Sequence, residues 1–282
     1  MPIIQLNPYT LHYHVQGAGP DVLLIHGWAS SLRMWERTTS RLASEGFRAW
    51  AIDLPGHGES APLASLNGGY SILNLTDAVE AFTERMDIRQ VSLVGHSMGG
   101  AIALDMSHRR PDATRALALV APAVSGRLGL APHRLFDFEI GRRLLELAQR
   151  HHVLARLGKL SMLGAPWLSR TRRDALRRDT KDLARTAPQA TFGGLQAVID
   201  FDFSDRLPEI HAPTLVIVGT RDMTVPPSEG ELAANKIPGA KLIKLRGVGH
   251  QPVDERPEEF DRLLLGFLKG LPHLQESLNR VQ

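Results

Sequence analysis

The chain has 282 residues, 43% of them apolar, which suffices for one large domain or for a core domain with an insertion. It contains no cysteine, which excludes disulfides, a thiol nucleophile and thiolate-bound zinc or iron–sulfur centres. The net charge of +3 is too small to indicate nucleic-acid binding by itself. The sequence shows neither a signal-peptide pattern nor 18 uninterrupted apolar residues, so we expect no transmembrane segment and a cytoplasmic location.

Strands and helices are predicted to alternate along most of the chain. Short apolar or β-branched runs indicate strands, and apolar residues at helical spacing indicate helices. In chain order the elements are strands 3–6, 10–15 and 22–25, a helix between Ser30 or Ser31 and Gly46, strand 47–52, helix 72–86, strand 91–94, a helix after residue 97, strands 116–120 and 214–218, helix 228–235, strand 241–245 and helix 257–268. This alternation predicts an α/β fold with a mostly parallel central sheet flanked by helices.

The segment from residue 122 to residue 210 interrupts the alternation, because it holds no clear buried strand. Its apolar residues recur at helical spacing and predict amphipathic helices. These residues are Ile140, Leu144, Leu147, Leu154, Leu157, Leu176 and Leu183. We therefore predict an α/β core formed by residues 1–121 and 211–282, with residues 122–210 inserted as a helical lid.

The predicted lid is strongly basic. Residues 127–185 contain fourteen Lys and Arg against six Asp and Glu, so the rest of the chain is net acidic. The densest group is Arg170, Arg172, Arg173, Arg177 and Arg178. Solvated helix faces explain such a pattern, and so does a docking surface for an anionic substrate, an acidic carrier protein or a membrane surface. A nucleic-acid role lacks a motif and interleaved aromatic residues.

The stretch 91–100, VSLVGHSMGG, contains the pattern G-x-S-x-G between a predicted strand and a predicted helix. In this context the turn is sharp and lifts the hydroxyl of Ser97 above the sheet. Gly95 and Gly99 approach each other across the turn, where a Cβ would collide. Ser97 is therefore the candidate nucleophile.

A serine hydroxyl needs a base within hydrogen-bond reach, and the base needs a carboxylate that orients it. With the order Ser, acid, His expected for such a fold, Asp222 is preferred over Asp200, Asp202 and Asp205 because it directly follows a buried strand. After Asp222 only His250 and His273 remain. His250 lies in the glycine loop that follows strand 241–245, whereas His273 lies beyond the last predicted helix, so His250 is the candidate base.

Attack by the serine creates an oxyanion that needs two backbone donors. The N–H of Met98, directly after the nucleophile, and the N–H of Trp28, in the loop after strand 22–25, are the candidates. The Trp28 side chain either lines the acyl pocket or packs at its rim. Asp53 is expected to organise its own loop. We expect no metal and no organic cofactor.

Four blocks of residues resemble the α/β-hydrolase superfamily, in its serine-nucleophile branch with a helical lid. They are HGWASS at 26–31, DLPGHGES at 53–60, GHSMGG at 95–100, and GTRDMTVP with GVGH at 219–226 and 247–250. The HGW block also resembles cofactor-free perhydrolases and pimeloyl-carrier methyl esterases. The latter hold an acidic carrier protein with basic lid residues.

The motifs and the resemblance together imply a carboxylic ester hydrolase that works through an acyl-Ser97 intermediate on a small-molecule ester. The nearest alternative is a C–C bond hydrolase of the meta-cleavage type, although such enzymes typically have asparagine where this chain has His96. A lactonase or perhydrolase is a further alternative. A non-catalytic ligand receptor on the same fold is the remaining one.

Overall fold

The computed structural model describes residues 2–63, 69–129 and 170–271, and its centre is an eight-stranded sheet. The strands are β1 (Ile3–Leu6), β2 (Tyr9–Gln16), β3 (Asp21–Ile25), β4 (Arg48–Ile52), β5 (Val91–His96), β6 (Thr114–Val120), β7 (Thr214–Gly219) and β8 (Lys241–Leu245). Their spatial order is β1-β2-β4-β3-β5-β6-β7-β8. The β1–β2 and β2–β4 pairs are antiparallel, and the other five pairs are parallel.

Eight α-helices occur in the described part of the chain. They are α1 (Glu36–Ser44), α2 (Ile72–Arg85), α3 (Met98–Arg109), α4 (Arg170–Arg185), α5 (Pro188–Asp200), α6 (Pro227–Lys236), α7 (Pro252–Glu255) and α8 (Pro257–Lys269). Ser31 caps a short 3₁₀ turn, Leu32–Trp35, that leads into α1. Within the described ranges, none of the helices is both long and apolar enough to span a membrane.

Both faces of the sheet are buried, as β3 illustrates. Leu23 and Ile25 pack into a core with α2, α3 and α6, whereas Val22 and Leu24 pack into a second core with α1 and α8. Because successive side chains of a strand point to opposite faces, a continuous apolar run means burial on both sides. The predicted α/β architecture with a mostly parallel sheet is confirmed.

The helices α4 and α5 lie in the long connection between β6 and β7. Residues 130–169 lie outside the described part, and with them the helices predicted around Ile140, Leu144, Leu147, Leu154 and Leu157. Near the end of the connection, Phe203, Leu207 and Ile210 are buried in the core that contains α2 and α3. The division into a core of residues 1–121 and 211–282 and a lid of residues 122–210 stays a prediction.

Candidate active site

Ser97 occupies the turn between β5 and α3 in a backbone conformation that L-residues seldom adopt. Its φ is 54° and its ψ is −115°. A Cβ at Gly95 would collide with the carbonyl of Gly99, so this close approach requires glycine at position 95. A Cβ at Gly99 would likewise collide with the carbonyl of Ile25, at the end of the neighbouring strand. The two glycines therefore permit the sharp turn, which places Ser97 at the carboxyl edge of the sheet.

Asp222 and His250 meet at the same edge, after β7 and β8. His250 Nδ1 lies 2.7 Å from Asp222 Oδ2, and the other carboxylate oxygen accepts the N–H groups of Thr224 at 2.8 Å and Val225 at 3.0 Å. Since a carboxylate only accepts, Nδ1 is assigned the proton, which leaves the lone pair of Nε2 available. The arrangement provides a histidine with an oriented, basic second nitrogen.

The structure places the His250 loop beside the turn that holds Ser97. His96, which directly precedes Ser97, has its Nε2 2.8 Å from the backbone oxygen of His250, and the two imidazole rings are 4.8 Å apart. Within the described part of the chain, Ser97 Oγ forms no hydrogen bond with the His250 ring. Such bonds are often long in ligand-free enzymes and shorten when substrate is bound.

The two predicted oxyanion donors flank Ser97. Met98 is the first residue of α3, where backbone N–H groups have no partner within the helix. The loop after β3 approaches from the other side, because a Cβ at Gly27 would lie 3.2 Å from the Ser97 Cβ. Within the described residues, the N–H groups of Trp28 and Met98 donate to no acceptor. Both donors are therefore available to a developing negative charge.

His26 fixes the peptide group that carries the Trp28 donor. Its Nδ1 lies 2.7 Å from the Gly27 oxygen, and its Nε2 accepts the N–H of Leu54 at 3.0 Å. Complete burial lowers the pKa of His26, so the ring is neutral and Nδ1 donates. Because the C=O and N–H of a trans peptide point in opposite directions, holding the Gly27 carbonyl orients the Trp28 N–H away from His26. From the sequence, His26 could be placed directly after strand 22–25, but its two hydrogen bonds could not be predicted.

Helix α5 contacts the loop after β3, which carries Trp28. The Trp28 indole N–H donates to the backbone oxygen of Thr191 at 2.6 Å. A Cβ at Gly194 would lie 3.1 Å from Trp28 Cδ1 and 3.5 Å from Met98 Sδ, so the absent side chain lets α5 approach both residues closely. The Trp28 side chain therefore packs against helix α5, beside the turn that holds Ser97.

Helix α4 is bound to the core by charged groups close to His250. Both terminal nitrogens of Arg178 donate to the Asp254 carboxylate, at 2.9 and 2.7 Å, and Gln251 Nε2 donates to Asp179 at 2.8 Å. Burial disfavours the charged guanidinium, yet the carboxylates of Asp254 and Asp179 raise the pKa of Arg178. Burial also raises the pKa of Asp179.

These pairings correct one expectation about the basic lid. Arg178 belongs to the dense basic group for which a docking surface is one explanation, but its charge is already matched by the carboxylates of Asp254 and Asp179. Arg177 is exposed and Arg173 is half-buried, while the side chains of Arg170 and Arg172 lie outside the described part. Arg178 is therefore not available to a docking partner. In the part of the chain that the structure describes, no three His, Asp or Glu side chains form a group suited to a metal ion.

The doubly covered sheet and the serine turn at its carboxyl edge define a class, the α/β hydrolases. Residues 20–257 match the family described as alpha/beta hydrolase fold, and the chain belongs to this family. A pimeloyl-[acyl-carrier protein] methyl ester esterase from Vibrio vulnificus is 29% identical over 270 residues, which cover 91% of this chain and 97% of the relative.

Two solved structures extend the comparison. A hydrolase from Pseudomonas aeruginosa superposes with a TM-score of 0.79 at 25% identity, covering 95% of this chain and 97% of its own. An enol-lactonase from Burkholderia xenovorans superposes with a TM-score of 0.77 at 25% identity, covering 95% of this chain and 99% of its own. Members of the family with esterase or lactonase names thus match nearly the whole length of this chain.

Proposed function

We propose that the protein is a serine hydrolase of carboxylic esters, with Ser97 as nucleophile, His250 as base and Asp222 as the acid that orients it. The observation that carries the proposal is the 2.7 Å contact between His250 Nδ1 and Asp222, beside the strained turn that holds Ser97. The esterase relatives support the same reaction class. Proximity of an oriented base to a serine at a helix N-terminus is the arrangement that acyl transfer requires.

In the proposed first half-reaction, Ser97 Oγ attacks the ester carbonyl and its proton passes to His250 Nε2. The carbonyl oxygen becomes an oxyanion that accepts the N–H groups of Trp28 and Met98. When the tetrahedral adduct collapses, the C–O bond to the alcohol breaks and His250 returns the proton to the leaving oxygen. The acyl group remains on Ser97.

The second half-reaction repeats these steps with water. His250 removes a proton from water as the water oxygen attacks the acyl-Ser97 carbonyl, and the same two N–H groups stabilise the new oxyanion. Collapse breaks the bond to Ser97 Oγ, which takes back a proton from His250. The products are a carboxylic acid and an alcohol, and no cofactor is needed in this scheme.

The proposed substrate is the ester of an acyl chain carried by an acidic protein. The support is the relative from Vibrio vulnificus, whose name includes an acyl-carrier protein, and the basic character of α4, which favours an acidic partner. Arg177 and Lys181 are exposed one turn apart on α4 and line a groove. The groove is also lined by Arg33 and Arg37, which are paired with carboxylates, so Arg177 and Lys181 are the cations proposed to meet the carrier. Clustered positive charge of this kind attracts an acidic partner in a salt-sensitive way.

The reaction class is tested with 4-nitrophenyl esters of graded chain length. A burst of 4-nitrophenol at the start of the reaction is expected, because the acyl-enzyme forms before water releases it. Ser97→Ala should abolish the burst and turnover while leaving the circular dichroism spectrum unchanged. Wild-type esterase activity in this variant would refute the assignment of Ser97.

The carrier proposal is tested by the double variant Arg173→Glu with Arg177→Glu. Its kcat/KM should fall for a carrier-bound ester at low salt and remain unchanged for a neutral 4-nitrophenyl ester. Arg89→Glu is the matched control, since Arg89 is 85% exposed outside the inserted segment. An equal loss for both substrates would show that the arginines stabilise the lid and do not bind a carrier.

Lactone hydrolysis is the second candidate, which the similarity to the enol-lactonase favours. A lactone is a cyclic ester, so the same attack opens the ring and leaves the alcohol on the acyl chain. Comparison of kcat/KM for lactones and for open esters of equal carbon number separates the two substrates. The cytoplasmic location stays a prediction from the sequence.

A further inference from the structure

We propose that His96, the residue before the nucleophile, is a positioning residue that binds the backbone carbonyl of His250 and so sets the place of the catalytic imidazole. This inference deepens the proposed function and rests on it. Its support comes from the contacts of the His96 side chain.

His96 lies between the two parts of the site that have to be aligned. Its Nε2 is 2.8 Å from the His250 oxygen, and its ring centroid is 4.8 Å from that of His250. On its other side, Nδ1 is the atom that a Cβ at Gly27 would approach at 2.9 Å. The ring therefore spans the space from the oxyanion loop to the His250 loop.

The hydrogen bond has a defined direction. A carbonyl oxygen only accepts, so Nε2 carries the proton and Nδ1 has the bare lone pair. Nδ1 is buried and finds no hydrogen-bond partner among the described residues. Burial and the neighbouring His250 lower the pKa of His96 to about 3, so the ring does not place a second positive charge beside the catalytic imidazolium.

The His250 loop is rich in glycine, and its bonds through Gly247, Val248 and Gly249 precede His250 in the chain. It contains Gly247, whose φ is +76°, and Gly249, whose N–H donates to Glu255 at 2.9 Å. Glycine has more accessible backbone conformations than other residues, which makes an untethered loop of this kind flexible. A bond to the carbonyl of His250 itself restrains the one residue whose side chain must reach both Asp222 and Ser97.

Two variants at one position separate tethering from packing. The leucine in His96→Leu fills similar space but has no hydrogen-bond donor. The glutamine in His96→Gln carries an N–H on its Nε2, which is as many bonds from the backbone as Nε2 of histidine. We expect His96→Leu to lower kcat by about 10- to 100-fold with little change in KM, because a small misplacement of a catalytic group has effects of this size. His96→Gln should retain most of the wild-type kcat.

A spectroscopic readout reports the tether without turnover. The proton between His250 Nδ1 and Asp222 should give a low-field proton NMR signal in the wild type, in His96→Gln and in the inactive Ser97→Ala variant. In His96→Leu we expect this signal to broaden or disappear. Full activity of Ser97→Ala would overturn the proposed function, while the NMR comparison would still decide the role of His96.

An equal loss of kcat in both His96 variants with the low-field signal intact would indicate packing alone and would overturn the role of His96. Wild-type kcat in His96→Leu would overturn it as well. Should His96→Leu fail to fold, the nitrogen-15 spectrum of the wild-type protein decides. His96 must then show a proton on Nε2 across the pH range of activity, and a proton on Nδ1 overturns the proposal.

Discussion

The indole N–H of Trp28 donates a 2.6 Å hydrogen bond to the backbone oxygen of Thr191, and this bond joins the loop after β3 to helix α5. The backbone N–H of the same tryptophan is one of the two proposed oxyanion donors. One residue thus connects the proposed chemistry at Ser97 with the helices between β6 and β7. Any movement of α5 should be transmitted to this donor.

Trp28→Phe should weaken that connection while leaving the backbone donor in place. We expect a loss of about 1 kcal/mol of stability and a reduced kcat/KM for long-chain esters, because one hydrogen bond between α5 and the loop is removed. The control is Trp50→Phe, which removes a 2.7 Å indole bond to Asp21 elsewhere in the sheet. Steady-state kinetics and urea unfolding measure both effects. If Trp50→Phe lowered kcat/KM as much, the coupling through Trp28 would be refuted.

Asp222→Asn should leave the fold intact and lower kcat by about 10⁴-fold, as a carboxamide favours the wrong tautomer of the histidine. Stopped-flow measurement of the acylation rate detects the change directly. Asp202→Asn and Asp205→Asn serve as controls, because both carboxylates are exposed and lie in the same half of the chain. A comparable loss in either control would move the acid of the site away from Asp222.

Asp182 on α4 is fully buried and accepts hydrogen bonds from Ser31 and from Arg33. Arg33→Met leaves this buried carboxylate without its cation, so we expect the segment to lose about 3–5 kcal/mol of stability. Hydrogen exchange of the α4 amides should become faster, while the amides of β5 stay protected. Arg89→Met is the control, since its pair with Asp87 is exposed and such pairs contribute about 0–1 kcal/mol. Unchanged exchange in α4 would contradict the expected anchoring.

The buried histidines should make the protein less stable in mild acid. Burial lowers the pKa of His57 and of His96 to about 3, whereas in the unfolded chain each titrates near about 6.5. The unfolded state therefore binds more protons below about pH 6.5, and stability is lost as the pH falls. For each group the loss from pH 7 to pH 5 is about 2 kcal/mol.

Urea unfolding at the two pH values measures this dependence. His57→Asn should reduce the difference between pH 7 and pH 5 by about 2 kcal/mol, because its titrating group is gone. His211→Asn should not change the difference, since His211 is exposed. An unaltered pH dependence in His57→Asn would mean that the His57 ring is protonated in the folded protein.

Much of the candidate site could be predicted from the sequence, because it depends on patterns within a few neighbouring residues. Buried strands followed by turns placed Asp222 and His250 after neighbouring strands, and the structure brings their side chains to 2.7 Å. The Gly-x-Ser-x-Gly pattern carries its own backbone requirement, so the turn at Ser97 was predictable as well. The bond from Leu54 to His26 and the bond between His96 and His250 had no local signal, since these partners lie 28 and 154 positions apart in the chain.

The basic residues of α4 show what a charge count along the sequence cannot predict. Arg178 has the same sequence signature as Arg177, yet it is paired with Asp254, 76 positions further along the chain. Charge counts describe composition and cannot show which charges are already matched by a distant carboxylate. The docking surface that composition suggests is therefore smaller in the folded protein.

The sequence by itself determined the alternation of strands and helices, the turn at Ser97 and the order of the candidate catalytic residues, because periodicity and glycine requirements act over a few neighbouring residues. Only the tertiary structure decided which imidazole holds which carbonyl, which arginine is neutralised, and that α5 contacts Trp28. These contacts join residues far apart in the chain, and they depend on side-chain directions that exist only once the sheet and its helices have packed.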